Sequence, residues 1–325
     1  MKKVFALFLV ISVLLSVTAC QCSQVRAVDA DTEDAVTVLF AGLDEAAENT
    51  DVLFLLSIDP EEERIAIMQI PRDTYFEVDG AVHKINGIYA AERCRGRSAE
   101  DALSALSSHI SVAFSVPLTA SVAFTTAALR ATVDAMGGIL IPFPSDMVID
   151  EKTYLRGEHL LSGAEAEAFV RYREGYSMGD LGRIDAQKLF LAALLRRAKS
   201  ELRPATLIRM LFSMHRDLIT DLSVSRALSL GLWAHARLSS YSAVFFTLPG
   251  EPLLYEGHWY FIANRKSSEL LLSQYFPFGS AFDPSHRLFD AQDLSQMNIY
   301  YDKNFPYQVF TEEDLSSLKI QTKKE

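Results

Sequence analysis

The chain is poor in cysteine, and its few cysteines are badly placed for cross-linking. Of 325 residues only Cys20, Cys22 and Cys94 carry a thiol, two of them in the first 22 positions. The remainder therefore has a single thiol, which excludes an internal disulfide framework and a cysteine zinc cluster there. The 7 histidines are scattered without metal-ligand spacing. Cations are also short: 31 Lys and Arg stand against 42 Asp and Glu, a net charge of −11. That excludes a non-specific nucleic-acid binder, which needs clustered positive charge, but leaves room for a small basic pocket. There is no internal repeat and no low-complexity tract. At 49% hydrophobic and 22% charged residues the composition is that of a globular protein.

One uncharged run breaks this pattern. Lys2 and Lys3 precede an uncharged stretch from Val4 to Ala19, shorter than the ~20 apolar residues a bilayer span needs. It suits the core of a signal peptide. It ends Val17-Thr18-Ala19-Cys20, similar to a bacterial lipobox, in which Cys20 would be lipidated. An uncleaved signal anchor is the other reading. Either way the body would be tethered outside the cytoplasmic membrane. Residues 1–20 are thus read as signal and lipobox, and 21–34 as a polar, acidic spacer.

Val36–Ala41, Val52–Ile58 and Arg64–Ile70 are short apolar runs bounded by turn residues, and read as strands. Their short connections favour an antiparallel meander. Ser98 and Ser162 open capping boxes, predicting helices from each, the second reaching about Glu174. Further strands are expected at Val116–Phe124, Ile139–Phe143, Ala243–Leu248 and His258–Asn264. Helices are expected at Thr125–Met136, Asp180–Leu202, Ala205–His215, Ser223–Ser239 and Ser267–Tyr275. Such alternation predicts α/β or α+β layering. One domain is expected over residues 35–276 and a C-terminal extension over 277–325, where period signals weaken.

Two clusters carry chemistry. In a meander, Asp44, Asp51, Arg72 and Asp73 meet at one rim of the sheet. Paired carboxylates suit Mg²⁺, and an arginine can hold a phosphate in a fork. Solvated loop charges are the plainer reading. The second cluster is Arg171, Arg173, Asp180, Arg183 and Gln187, at the end of one helix and the start of the next. Asp180, Arg183 and Gln187 share a helix face, which makes either an anion site or surface ion pairing. His83 stands next to Lys84, and Cys94 lies between Arg93 and Arg95.

The order of these residues resembles the LytR-CpsA-Psr family of cell-wall assembly proteins. The series is Leu39-Phe40-Ala41-Gly42-Leu43-Asp44, Thr50-Asp51-Val52-Leu53, Ile70-Pro71-Arg72-Asp73-Thr74 and His83-Lys84-Ile85-Asn86. Val133-Asp134-Ala135-Met136-Gly137-Gly138, Leu160-Leu161-Ser162-Gly163, Phe169-Val170-Arg171-Tyr172-Arg173 and Gly179-Asp180-Leu181-Gly182-Arg183 to Gln187 follow. The likeness is strong over residues 36–202 and weaker through Thr220-Asp221-Leu222-Ser223 and Leu248-Pro249-Gly250-Glu251.

The resemblance implies an α/β/α sandwich with a central mixed sheet and an apolar cavity for a polyprenyl chain. It implies a phosphotransferase moving a teichoic acid or capsular polysaccharide from polyprenyl pyrophosphate to peptidoglycan. Asp44 and Asp51 would hold Mg²⁺. Arg72, Lys84, Arg171, Arg173, Arg183 and Gln187 would face the pyrophosphate, and Asp44 or Asp73 would act as base. Two departures stand out: Asn49-Thr50 and Ala186 occupy positions where the family usually carries arginine. They keep two alternatives open, a non-catalytic binder of polyprenyl-linked glycans and a pyrophosphatase acting on the same lipid.

Overall fold

The computed structural model describes residues 35–44, 46–78, 81–177, 179–201, 218–255, 257–279, 286–287, 306–318 and 320. Cys20 and the helix expected near 205–215 lie outside them. The first elements are β1 (Val36–Leu43), β2 (Thr50–Asp59), β3 (Arg64–Ile70), β4 (Tyr75–Val78), β5 (Ala81–Lys84), α1 (Gly87–Cys94) and α2 (Ala99–Phe114). Then come β6 (Ala120–Phe124), α3 (Thr126–Ala135), β7 (Ile139–Phe143), β8 (Met147–Ile149), β9 (Lys152–Tyr154), β10 (Gly157–Leu161), α4 (Gly163–Arg171) and α5 (Asp180–Glu201). The rest are β11 (Leu218–Thr220), α6 (Val224–Arg237), β12 (Ser242–Thr247), β13 (Gly250–Tyr255), β14 (His258–Ala263), α7 (Arg265–Tyr275), β15 (His286–Arg287), β16 (Phe310–Thr311) and α8 (Glu312–Ser316).

The expected meander forms: β1 pairs antiparallel with β2, and β2 with β3. Parallel strands β6 and β12 flank it, and antiparallel β11 and β16 close the edges. The resulting mixed sheet runs β11-β6-β1-β2-β3-β12-β16. Alternate side chains face opposite layers, and both layers are dry, so these strands read as continuous apolar runs. Leu39, Leu55 and Met68 pack with Leu103, Leu106 and Ile110 of α2 and Leu271 and Leu272 of α7. Val38, Phe54, Ile65 and Ile67 face Phe169 of α4, Leu189 and Phe190 of α5, and Ile139 and Ile141 of β7. Each fully buried large side chain contributes about 1.5–3 kcal/mol relative to exposure. The fold is the α/β/α sandwich that the sequence implied.

Some boundaries moved for physical reasons. The strand expected from Val116 begins at Ala120. Before it, Ser115 is left-handed (φ 51°), and the Val116 N–H still closes the end of α2 on the Ser111 carbonyl. The helix opened by Ser162 stops at Arg171, because Tyr172 turns extended and sets its ring edge-on to Tyr176. The hairpin β4–β5 and short strands β8 to β10 were not foreseen; each is five residues or fewer. The described part of 277–325 is integral to the sheet. It supplies β16, buries Leu315 and Ile320 in the core, and pairs Glu312 with Lys199 of α5.

Candidate functional site

The rim starts from three strand ends. Leu43 pairs with Thr50, and the Asp44 N–H donates to the Asn49 carbonyl, so Asp44 and Asp51 lie on either side of one turn. Two hydrogen bonds fix Asp44: Glu48 N–H to Oδ1 at 2.8 Å and Asn49 Nδ2 to Oδ2 at 2.9 Å. Burial alone would raise this carboxyl. Bonds from the Asn49 side chain and from backbone N–H groups outweigh it and hold the group below its ordinary value. Arg72 follows β3, and its guanidinium meets Asp51 Oδ1 at 2.6 Å, with Nε 4.0 Å from Asp73 Oδ2. Lys84, at the end of β5, closes the row on Asp73 Oδ1 at 2.9 Å. Buried Thr50 and half-buried Asn86 support the row: Thr50 Oγ1 donates to the Asn86 carbonyl, and the Asn86 N–H donates to the Arg72 carbonyl.

The helical side arrives with α5. Arg183 and Gln187 are buried, and with Ile184 they line a pocket completed by Asp51, Val52, Leu53, Gln69, Ile70, Pro71 and Arg72. Residues 183 and 187 are one helical turn apart and so share a face. Gln187 Nε2 donates to the Val170 carbonyl at 3.2 Å, which ties α5 to the end of α4. The structure thus joins Asp51, Arg72, Arg183 and Gln187 in one pocket, with Asp73, Lys84 and Asp44 along its rim. Arg171 and Arg173 are exposed and outside that lining, and Arg171 pairs with Glu167 at 3.0 Å. His83 and Cys94 are also exposed.

The two arginine-lacking positions have structural occupations. Ala186 is fully buried in the core, Thr50 braces Asn86, and Asn49 holds Asp44. Among the described residues, the arginines that line the pocket are Arg72 and Arg183. Arg130 pairs with Glu167, Arg95 with Glu92, and Arg93 donates to the Arg97 carbonyl.

Other motif residues prove to be architectural. Asp134 Oδ1 accepts the Gly163 N–H at 2.8 Å, so the segment ending at Gly138 caps the start of α4. A Cβ on Gly163 would press on the carbonyl oxygen of Arg130 and lie 2.8 Å from its Cα, so only glycine lets α3 and α4 come this close. Asp221 accepts from both the N–H and the hydroxyl of Ser121, which staples β11 to β6. Gln69 was missed. A polar side chain inside the apolar run Arg64–Ile70 was the available signal.

Among the described residues no three His, Cys, Asp or Glu side chains gather as a metal cage, and no helix is long and apolar enough to cross a membrane. Fold and rim together define an α/β/α protein with an arginine–carboxylate pocket at the edge of an apolar layer. The chain belongs to the LytR_cpsA_psr family, whose profile matches residues 16–275. It is 28% identical over 248 residues to the polyisoprenyl-teichoic acid–peptidoglycan teichoic acid transferase TagU of Oceanobacillus iheyensis, covering 73% of this chain and 76% of that protein. Other curated relatives of that kind are matched over about half their length. Among solved structures, protein gbs0355 from Streptococcus agalactiae superposes with a TM-score of 0.69 at 16% identity, covering 85% of this chain and 99% of that one. Bacillus subtilis TagV gives 0.62 at 22% identity, covering 76% and 99%.

Proposed function

We propose that this protein is a membrane-tethered, extracytoplasmic phosphotransferase. It moves a glycopolymer from a polyprenyl-pyrophosphate carrier to a hydroxyl of peptidoglycan. The observation that carries the reading is the pocket of Asp51, Arg72, Arg183 and Gln187, opening beside the layer between the sheet and α5. Charged groups at the mouth suit a pyrophosphate, and the apolar layer behind suits a polyprenyl chain. Teichoic acid is the favoured cargo, because TagU of O. iheyensis carries that substrate in its name. A capsular polysaccharide has the same phosphodiester chemistry. Cys20 supplies the lipid anchor, with an uncleaved signal anchor as the other tether.

Phosphoryl transfer asks mainly for positioning and charge neutralisation. Arg72, Arg183, Lys84 and Gln187 hold the pyrophosphate oxygens, and the exposed Arg171 and Arg173 attract the anion from outside. Asp44 and Asp51, on either side of the β1–β2 turn, would hold Mg²⁺, which accepts one or two carboxylates and completes its shell with substrate phosphate and water. When bound, it would neutralise charge developing on the phosphate oxygens. Asp44, held below its ordinary pKa, suits the metal side. The candidate bases are Asp44 and Asp73, the second paired with Lys84 at 2.9 Å and lying 4.0 Å from Arg72.

The purified full chain, given lipid-linked donor, peptidoglycan acceptor and Mg²⁺, should yield polymer-linked peptidoglycan. Free phosphorylated glycan alone would instead show hydrolysis. Bound, unchanged donor would show a binder, the second reading, which Ala186 and Asn49 favour by leaving the pocket two cations short of the family pattern.

A further inference from the structure

The proposed donor chemistry uses the charged residues and leaves one pocket side chain unexplained. Gln69 lies on β3 in phase with Ile65 and Ile67, so it faces the layer beneath α5. Its backbone is fully committed to the sheet: it pairs with Phe54 on one side and Thr247 on the other, and its carbonyl accepts the Leu248 N–H at 2.8 Å. Its side chain is not so settled. Gln69 is 3% exposed, lines the pocket with Arg72, Arg183 and Gln187, and has a buried Oε1 without a hydrogen-bond partner. A buried amide left in this state destabilises the fold, and an apolar side chain of the same length would suit the flanking isoleucines better. The amide lines the pocket together with the charged Asp51, Arg72 and Arg183 and the apolar Leu53, Ile70 and Ile184. A ligand that meets it there would carry a polar group joined to something apolar.

We propose that Gln69 is a direct ligand contact of the pocket, donating its amide N–H to the phosphate nearest the lipid. This rests on the donor reading above. It adds a neutral contact at the phosphate–lipid junction, where the carboxamide reads the depth of the anion and the arginines supply charge. The two ends of a carboxamide exchange by rotation of the side chain, so the amide whose Oε1 lacks a partner can present its N–H to an anion.

The test uses Gln69→Met, which keeps length and removes hydrogen bonding, in the full chain purified in detergent. Farnesyl pyrophosphate and farnesol are the probes. Gln69→Met should raise the melting temperature, weaken farnesyl pyrophosphate binding roughly tenfold or more, and leave farnesol binding unchanged. Gln69→Glu, which places a carboxylate against the anion, should weaken the pyrophosphate further. Arg183→Ala separates the two levels of inference. If Arg183→Ala weakens pyrophosphate binding and neither Gln69 variant does, Gln69 is an architectural amide and the inference falls alone. If none of the three changes affinity, the donor reading falls with it. A Gln69→Met protein that melts lower and binds normally would show the amide to be satisfied within the fold, and would also overturn the proposal.

Discussion

On the strand side of the rim each cation already has a carboxylate: Asp51 holds Arg72 at 2.6 Å and Asp73 holds Lys84 at 2.9 Å. The helical side is divided. Arg183, in the first turn of α5, is 3% exposed and lines the pocket with Asp51, Arg72 and Gln187, whereas the Arg171 side chain, at the end of α4, is 51% exposed and lies along Glu167. A charge in a dry site interacts strongly with an arriving anion, while one in water is screened. An arriving anion should therefore feel the buried helix position more strongly than the exposed one. Position in the fold should rank these residues more sharply than their shared chemistry does.

The largest effect should come from Arg183. Arg183→Ala is expected to cost roughly 1.5–3 kcal/mol of pyrophosphate-lipid affinity, as for a hydrogen bond to a charged group, while the fold survives. Calorimetric titration with farnesyl pyrophosphate measures it. A loss no larger than that from Arg171→Ala would erase the contrast between the two helix positions.

Next comes the seam that sets where α4 lies. Gly163→Ala puts a methyl group against the Arg130 backbone. It should lower unfolding stability by about 1–3 kcal/mol, the usual range for overpacking, in urea titration. Because Gln187 is tied to Val170 at the far end of α4, donor affinity should fall as well. Unchanged stability would mean that α3 and α4 can separate cheaply and that the buried side is less rigid than its packing indicates.

Much of this was legible in the sequence, and unevenly so. The strand rim could be read because short apolar runs and short turns determine which ends meet, and Asp44, Asp51, Arg72 and Asp73 fell where a meander puts them. The helix starts at Ser98 and Ser162 were legible because their signal is local: Ser162 closes the reciprocal box with Glu165, while Ser98 accepts from the Asp101 N–H. Contacts distant in sequence were not. Nothing near residue 69 says that Arg183 will share its pocket, and nothing near Asp221 says that Ser121 is its partner 100 residues away. The strand β16 was invisible for the same reason: two residues carry no periodicity, and their place is decided by β12 and by the burial of Leu315. Exposure could not be read either, so Arg171 and Arg183 looked alike.

A smaller effect is expected outside the pocket, at the start of α4. Glu165 accepts from Lys152 and from the N–H and hydroxyl of Ser162, bonds that hold its carboxyl down at about 2. The folded value lies below the unfolded one, so its stabilisation is complete above about pH 4.5 and is lost as pH falls toward 2. Glu165→Ala should cost about 1 kcal/mol at neutral pH, as other lost caps do. It should also flatten the acid limb of the stability curve between those values. An acid limb identical to wild type would move the titration to other carboxylates.

The smallest effect belongs to Arg171, and its salt dependence is what tests the ranking. The arginine makes an exposed pair with Glu167, and Glu167 keeps a second partner in Arg130 at 3.1 Å. Exposed pairs of this kind contribute about 0.2–1 kcal/mol, so Arg171→Ala should leave urea stability within that range of wild type. Its part in binding is long-range attraction through water, which weakens as the Debye length falls from about 10 Å at 0.1 M salt to about 3 Å at 1 M. The variant should therefore bind farnesyl pyrophosphate a few-fold more weakly at low ionic strength and indistinguishably from wild type near 1 M, whereas the Arg183→Ala deficit should persist at both. A salt-independent loss at Arg171 as large as that at Arg183 would mean that the end of α4 folds over the bound anion. In that case its exposure in the empty protein would not describe the complex.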